Sequence, residues 1–134
     1  MIAAIHAGWK GAFKGIIKRT LNFMIKKGCT PKNITAVIGP CISVKSYEVK
    51  KDFIKKLIKK DGKNKKFFKK IQNKDFFDLK KYVLSQLKAL NIKKIDIINK
   101  NTFNPKNNFF SARRSISRNE NDYGRNISVI MINS

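Results

Sequence analysis

The chain has a single histidine, His6, within a glycine-rich segment that reads His-Ala-Gly-Trp-Lys-Gly over residues 6–11. The apolar run at residues 2–5 predicts a buried strand that ends just before it. In α/β proteins, ligand sites form where a strand ends and the next helix begins, because exposed helix amides favour an anion there. His6 is therefore a candidate functional residue, and a packed or surface histidine is the alternative interpretation.

Cys41 follows a second predicted strand at residues 34–38. It is a candidate nucleophile with His6 as its base, and the alternative is a small buried apolar side chain. Glu48 and Asp78 are the carboxylates nearest to these loops. Asp78 is explained more simply as a helix cap, and Glu48 as a charge in the first turn of a helix.

The stretch 109–114, Phe-Phe-Ser-Ala-Arg-Arg, pairs two aromatic residues with two arginines. Aromatic rings stack on bases, and the guanidinium groups of Arg113 and Arg114 are suited to hold a phosphate. The alternative is a strand end followed by solvated arginines. The sequence contains no phosphate-binding or dinucleotide-binding glycine motif and no paired CxxC motif.

Hydrophobic periodicity predicts the elements that would position these residues. A helix is expected from Ala12 to the glycine cap at Gly28, a second after Ser46, and a third after the cap residue Asp78. Strands are expected at residues 2–5, 34–38, 95–98, 109–111 and 127–132. The order strand, helix, strand over residues 2–38 has the shape of a βαβ unit. Residues 63–74 fit a strand or a helix, and polar loops are expected at 99–108 and 115–126. The fold class is α/β, of the mixed α+β kind, in one domain over residues 1–134.

The charge of the chain is strongly basic, with 31 Lys and Arg against 8 Asp and Glu, a formal net charge of +23. However, 26 of the basic residues are Lys, and Lys, Ile and Asn together make 59 of 134 residues. These three residues have A/T-rich codons, so a genome drifting toward A/T would produce the excess without selection for a ligand. Proteins that read bases favour Arg, so we expect weak polyanion binding and no specific nucleic-acid partner.

The sequence also bears on the compartment. No apolar run approaches the roughly 18–20 residues of a membrane span, so no membrane association is expected. The start lacks the basic region of a signal peptide, and two cysteines do not make a disulfide framework. The expected localisation is cytoplasmic.

Five blocks in order resemble the laccase-domain, or multicopper polyphenol oxidoreductase, family, whose members are described as purine nucleoside phosphorylases or peptidoglycan-editing factors. The blocks are residues 6–11, residues 38–42 with Tyr47-Glu48-Val49, Phe77-Asp78-Leu79, residues 109–114, and Tyr123-Gly124-Arg125. The resemblance covers only the C-terminal half of the family domain and implies half of an α/β/β/α sandwich. In two places the chain departs from the family pattern, because Asn101 stands where many members have Cys and Ala112 where they usually have Tyr.

The resemblance implies phosphorolysis of adenosine or inosine, with adenosine deaminase activity, at a catalytic zinc held by two His and one Cys. His6 matches one of these metal ligands, whereas Cys41 does not match the metal cysteine. The other two ligands lie upstream in the family, so the resemblance implies a truncated or split enzyme with a complementary N-terminal chain as a partner.

From charge alone, we assign Arg113, Arg114 and Arg125 to binding of the phosphate that accompanies the purine nucleoside. Two alternatives stay open: an inactive relic of the family, and a small basic nucleic-acid-binding protein.

Overall fold

The computed structural model describes residues 1–133 and shows a mixed α+β arrangement, which confirms the predicted fold class. These residues contain five helices and four short strands, interspersed along the chain. The helices are α1 Trp9–Phe13, α2 Ile16–Lys26, α3 Lys51–Lys60, α4 Leu79–Ala89 and α5 Ala112–Ser117. The strands are β1 Thr35–Ile38, β2 Phe68–Ile71, β3 Lys74–Phe77 and β4 Lys94–Ile97. Short 3₁₀ turns join several of them.

The strands form two separate two-stranded sheets. β1 and β4 are parallel, with Ala36 opposite Ile95 and Ile38 opposite Ile97, so the predicted strands at 34–38 and 95–98 are confirmed. β2 and β3 form an antiparallel hairpin through Gln72 and Asn73, which both have positive φ. The ambiguous stretch 63–74 is therefore a 3₁₀ turn followed by a strand and the hairpin turn.

Three predicted strands are wrong. Residues 2–5, 109–111 and 127–132 have strand-like composition, yet none of them forms a strand. A strand needs a neighbour to pair its backbone N–H and C=O groups. No segment within residues 1–133 pairs with these stretches as a strand. The predicted βαβ unit that begins at residue 2 is wrong for the same reason, because the parallel partner of β1 is β4.

The predicted helices hold with shifted bounds. The first is split at Gly15, whose φ of +82° is the left-handed conformation that glycine adopts readily. Its second part ends at Lys26, and the predicted cap residue Gly28 follows with φ of +94°. The second begins at Lys51 and not directly after Ser46, because residues 44–46 form a 3₁₀ turn. Asp78 caps α4 as predicted, since its carboxylate accepts the backbone N–H of Lys81 at 2.9 Å.

The hydrophobic core lies where α2, α3 and α4 meet the hairpin and the inner side of β1. Phe77, at the end of β3, has no exposed surface and is packed by aromatic rings on several sides. Phe53 on α3 reaches the same rings from the other side, with its centroid 5.1 Å from that of Phe77. This aromatic cluster continues outward to Trp9 and Tyr47 and so links the core to the surface groove described below.

Candidate functional site

A surface groove of about 320 Å³ lies between α1, the segment that precedes α3, α3 itself and α5. Its lining residues combine aromatic rings with basic groups: Trp9, Tyr47, Glu48, Val49, Lys50, Phe53 and Arg113. The aromatic side chains can contact a flat ring, and the charged groups can bind a polar ligand. Among the residues predicted for phosphate or metal binding, Arg113 is the one that lines it.

Aromatic rings form the apolar wall of the groove. The rings of Trp9 and Phe53 meet edge to face, with centroids 4.8 Å apart at 69°. Tyr47 lies 6.3 Å from Phe53 on the other side. Such contacts fix the orientation of each ring. The wall is therefore anchored in the core through Phe53 and has little freedom to collapse.

Arg113 supplies one of the positive charges of the groove. Its guanidinium carbon lies 5.2 Å from the centre of the Tyr47 ring, within the range of a cation–π contact. Burial raises the pKa of the Tyr47 phenol, and the nearby Arg113 charge opposes that rise. The phenol therefore stays neutral at physiological pH.

Glu48 is the acid among the groove residues. Its carboxylate is bound by the Nζ of Lys74 at 3.1 Å, in an exposed ion pair. Lys50 and Arg113 therefore leave the groove with a net positive character, which suits an anionic ligand. Asp78, the other carboxylate considered from the sequence, is buried as the cap of α4 and does not line the groove.

His6 lies in an exposed stretch ahead of α1. A Cβ atom at Gly8 would approach His6 Nε2 to 3.1 Å, and one at Gly11 would approach the His6 carbonyl oxygen to 3.2 Å. Both glycines therefore let the backbone turn closely around the histidine. Within residues 1–133, no group of three His, Cys, Asp or Glu side chains is placed to hold a metal ion. The residues described do not by themselves fit the expected zinc site.

Cys41 lies where the parallel strands end, and its backbone pairs with that of Asn101. The thiol is half-buried, and this burial raises its pKa, while Lys80 acts in the opposite direction. A thiol with a raised pKa is a poor nucleophile near neutral pH. The catalytic assignment of Cys41 stays a prediction that this environment does not favour.

Arg114 points away from the groove and binds backbone carbonyls. Its Nη1 donates to the carbonyl oxygens of Thr102 at 2.9 Å and Phe103 at 3.0 Å, and its Nη2 donates to that of Phe109 at 2.6 Å. Three of its five N–H groups are therefore engaged. Phosphate binding by Arg114 stays a prediction, but the side chain holds the loop before α5 in place.

Asn101 joins that loop to the turn that carries Tyr47. Its Oδ1 accepts the backbone N–H groups of Ser43 at 3.1 Å and Phe103 at 3.0 Å, and its Nδ2 donates to Ser46 Oγ at 3.1 Å. Asn101 thus has a structural explanation at the position where the resemblance gives Cys in many family members. Sequence reasoning noted the departure but missed this network.

Arg125, the third arginine assigned to phosphate, is exposed and outside the groove. Its guanidinium lies 4.1 Å from the Tyr123 ring centre, donates to the Tyr123 carbonyl and lies 3.5 Å from Asp122. Its contacts are local to one turn, so its phosphate role stays a prediction.

Sequence reasoning also missed the aromatic lining of the groove. Trp9 lies in the same family block as His6, and Tyr47 directly precedes Glu48. A large aromatic ring beside glycines or polar residues could have indicated a binding surface. Phe53 lies on α3, partly buried and packed against the core. None of the helices in residues 1–133 is both long and apolar enough to cross a membrane.

Known bacterial proteins are similar to this chain over most of its length. A purine nucleoside phosphorylase of Rickettsia conorii is 39% identical over 129 residues, which is 95% of this chain and 52% of that protein. A purine nucleoside phosphorylase of Haemophilus influenzae is 35% identical over 132 residues, or 96% of this chain and 51% of that protein. One of Aquifex aeolicus is 36% identical over 98 residues, or 70% of this chain and 41% of that protein.

The chain therefore spans about half the length of the curated relatives it matches. The model of the multi-copper polyphenol oxidoreductase laccase family matches residues 1–133, nearly the whole chain. That family name suggests metal binding, although it does not identify the metal. On this match the chain belongs to the multi-copper polyphenol oxidoreductase laccase family.

Proposed function

We propose that this chain provides the groove in which a purine nucleoside phosphorylase binds its nucleoside and phosphate. The reaction is the attack of a phosphate oxygen on C1′ of adenosine or inosine. The bond from C1′ to the base breaks, and the products are ribose 1-phosphate and the free base. Relatives named purine nucleoside phosphorylase support this assignment.

The observation that carries the proposal is the position of Arg113 at the edge of an aromatic groove. A purine is a flat ring, and the walls formed by Trp9 and Phe53 are suited to contact its faces and edges. A guanidinium binds phosphate through two parallel N–H donors. One groove thus offers a surface for the base and a group for the anion that attacks the sugar.

The proposal also includes adenosine deaminase activity and a bound zinc ion. His6 is proposed as one ligand of a zinc whose other ligands come from outside residues 1–133. When bound, zinc would supply Lewis-acid chemistry at the substrate or an activated water. Because the described residues do not complete a metal site, no step of phosphorolysis is assigned to it.

The proposal is tested by measuring phosphorolysis of adenosine and inosine with purified chain. The assay is run alone and with a polypeptide equivalent to the unmatched half of the Rickettsia conorii relative. Release of free base that requires phosphate and yields ribose 1-phosphate supports phosphorolysis, whereas inosine formed from adenosine reports deamination. Zinc content of the two preparations is measured in parallel.

Variants separate the role of Arg113 from general charge. Arg113→Ala should raise the KM for phosphate about 10- to 100-fold, because a charged hydrogen-bonding pair contributes roughly 1.5–3 kcal/mol. Arg118→Ala is the matched control, since Arg118 follows the same helix and makes only an exposed ion pair with Glu120 at 3.9 Å. Equal effects of the two substitutions would refute the phosphate assignment.

Trp9 gives a second readout that does not depend on turnover. It is the one tryptophan of the chain and lines the groove. Saturable quenching of its fluorescence by adenosine is expected if the groove binds the base. No turnover, no zinc and no quenching, with or without the added polypeptide, would mean that the chain is an inactive relic of the family.

A further inference from the structure

The stretch 127–132, termed here the apolar segment, exposes large side chains to solvent. Ile127 is 88% exposed, Val129 79% and Met131 73%, and Ile130 and Ile132 are also exposed. A contiguous run of exposed apolar side chains marks an interaction surface more often than an ordinary protein surface. The β-branched composition of the run is that of a strand, although it pairs with no strand within residues 1–133.

The parallel sheet has a second unpartnered surface. Within residues 1–133, β1 pairs only with β4, so each strand has an outer edge that no strand covers. Val37 lies on the face opposite the buried Ile38 and is 58% exposed. Parallel sheets are usually covered on both faces, and an open edge readily pairs with an added strand.

We infer that the apolar segment and the β1–β4 sheet dock one polypeptide, equivalent to the half of the relatives that this chain does not match. The inference rests on the proposed function, because it names the partner that would complete the same domain. Its support is independent of the groove. The relatives carry nearly as many residues again beyond the matched half, enough to supply strands and an apolar face.

Charge favours this occupant over a second copy of the chain. Each copy carries a formal net charge of +23, so two copies repel one another when brought together. The apolar segment can bind a partner by burying its side chains, and the edges of the β1–β4 sheet can bind one by main-chain hydrogen bonds.

The experiment mixes the full chain with the separately produced unmatched half of the rickettsial relative. Sedimentation measures the mass of the product, and hydrogen exchange locates the contact. We expect a 1:1 complex and at least tenfold slower exchange in residues 127–132 and in an edge of the β1–β4 sheet.

Two substitutions test the location. Val129→Glu places a charge in the apolar segment and should weaken the complex at least tenfold. Phe23→Glu is the matched control, because Phe23 is 58% exposed on α2 and belongs to neither surface, so the substitution should change the affinity less than twofold. Both sites are exposed, and an unchanged circular dichroism spectrum confirms that each variant folds.

Three results would overturn the inference: no complex, a complex equally weakened by both substitutions, or a homodimer through residues 127–132. A 1:1 complex without phosphorolysis would refute the proposed function and leave the docking surface standing. Full phosphorolysis by the chain alone would refute the need for docking and leave the proposed function intact.

Discussion

Replacement of Arg114 by Ala should destabilise the protein through the loop that precedes α5. The guanidinium donates to three carbonyl oxygens, those of Thr102, Phe103 and Phe109, at 2.6 to 3.0 Å. Its side chain is partly buried, and these bonds fasten residues 102–109 to the helix that follows them. The substitution removes all three bonds and leaves the carbonyls to water.

The magnitude follows from the type of bond. A hydrogen bond with a charged donor contributes roughly 1.5–3 kcal/mol, and the three bonds share one side chain and partly solvated acceptors. We therefore expect a loss of about 2–4 kcal/mol in the free energy of unfolding, less than the simple sum. For a domain of this size about 1 kcal/mol lowers Tm by roughly 3–5 °C, so Tm should fall by roughly 6–20 °C.

The assay is urea unfolding followed by circular dichroism and by the fluorescence of Trp9. Arg118→Ala serves as control and should change the free energy of unfolding by less than about 0.5 kcal/mol, because its ion pair is exposed. Arg114→Lys should recover only part of the loss, since one ammonium cannot span three acceptors as a planar fork does. If Arg114→Ala is as stable as the Arg118→Ala control, the clamp described above is wrong.

Two further predictions concern packing and the thiol. Gly124→Ala should lower the free energy of unfolding by about 1 kcal/mol, because the new Cβ would lie 2.4 Å from the Phe110 ring. The loss stays small because the Phe110 ring is exposed and can move. Gly62→Ala is the control in thermal melts, because the space around its Cβ is open. The Cys41 thiol, studied in the Cys29→Ser variant, should react with a disulfide reagent more slowly than glutathione does at pH 8. Because burial raises its pKa, its rate should keep rising with pH beyond about 8.5, and a rate already level by pH 8 would contradict that direction.

The elements that could be predicted from the sequence are those whose signal is local. The face of α4 repeats at helical spacing, and Asp78 can cap it without help from distant residues. The strands predicted at residues 34–38 and 95–98 are short apolar runs that pair with each other in the parallel sheet. In these places propensity, pattern and tertiary contacts agree.

The strand predictions that were wrong concern segments whose pairing partners no local pattern specifies. Residues 2–5 and 127–132 have the right composition, but a strand exists only when a second backbone lies beside it. The same applies to the first predicted βαβ unit, since β1 pairs with β4, more than fifty residues along the chain. Composition predicts what a segment can form, and pairing decides whether it does.

The site shows the same limit at the level of two neighbouring residues. Sequence reasoning treats Arg113 and Arg114 as one basic pair, yet successive residues on a helix point about 100° apart. Arg113 therefore faces the groove beside Tyr47, while Arg114 turns to the carbonyls of the loop. The two are still linked, because the loop that Arg114 clamps begins at Asn101, which holds the turn before Tyr47. The geometry of the Arg113–Tyr47 pair thus depends on a neighbour that does not enter the groove, and loss of Arg114 should disturb ligand binding as well as stability.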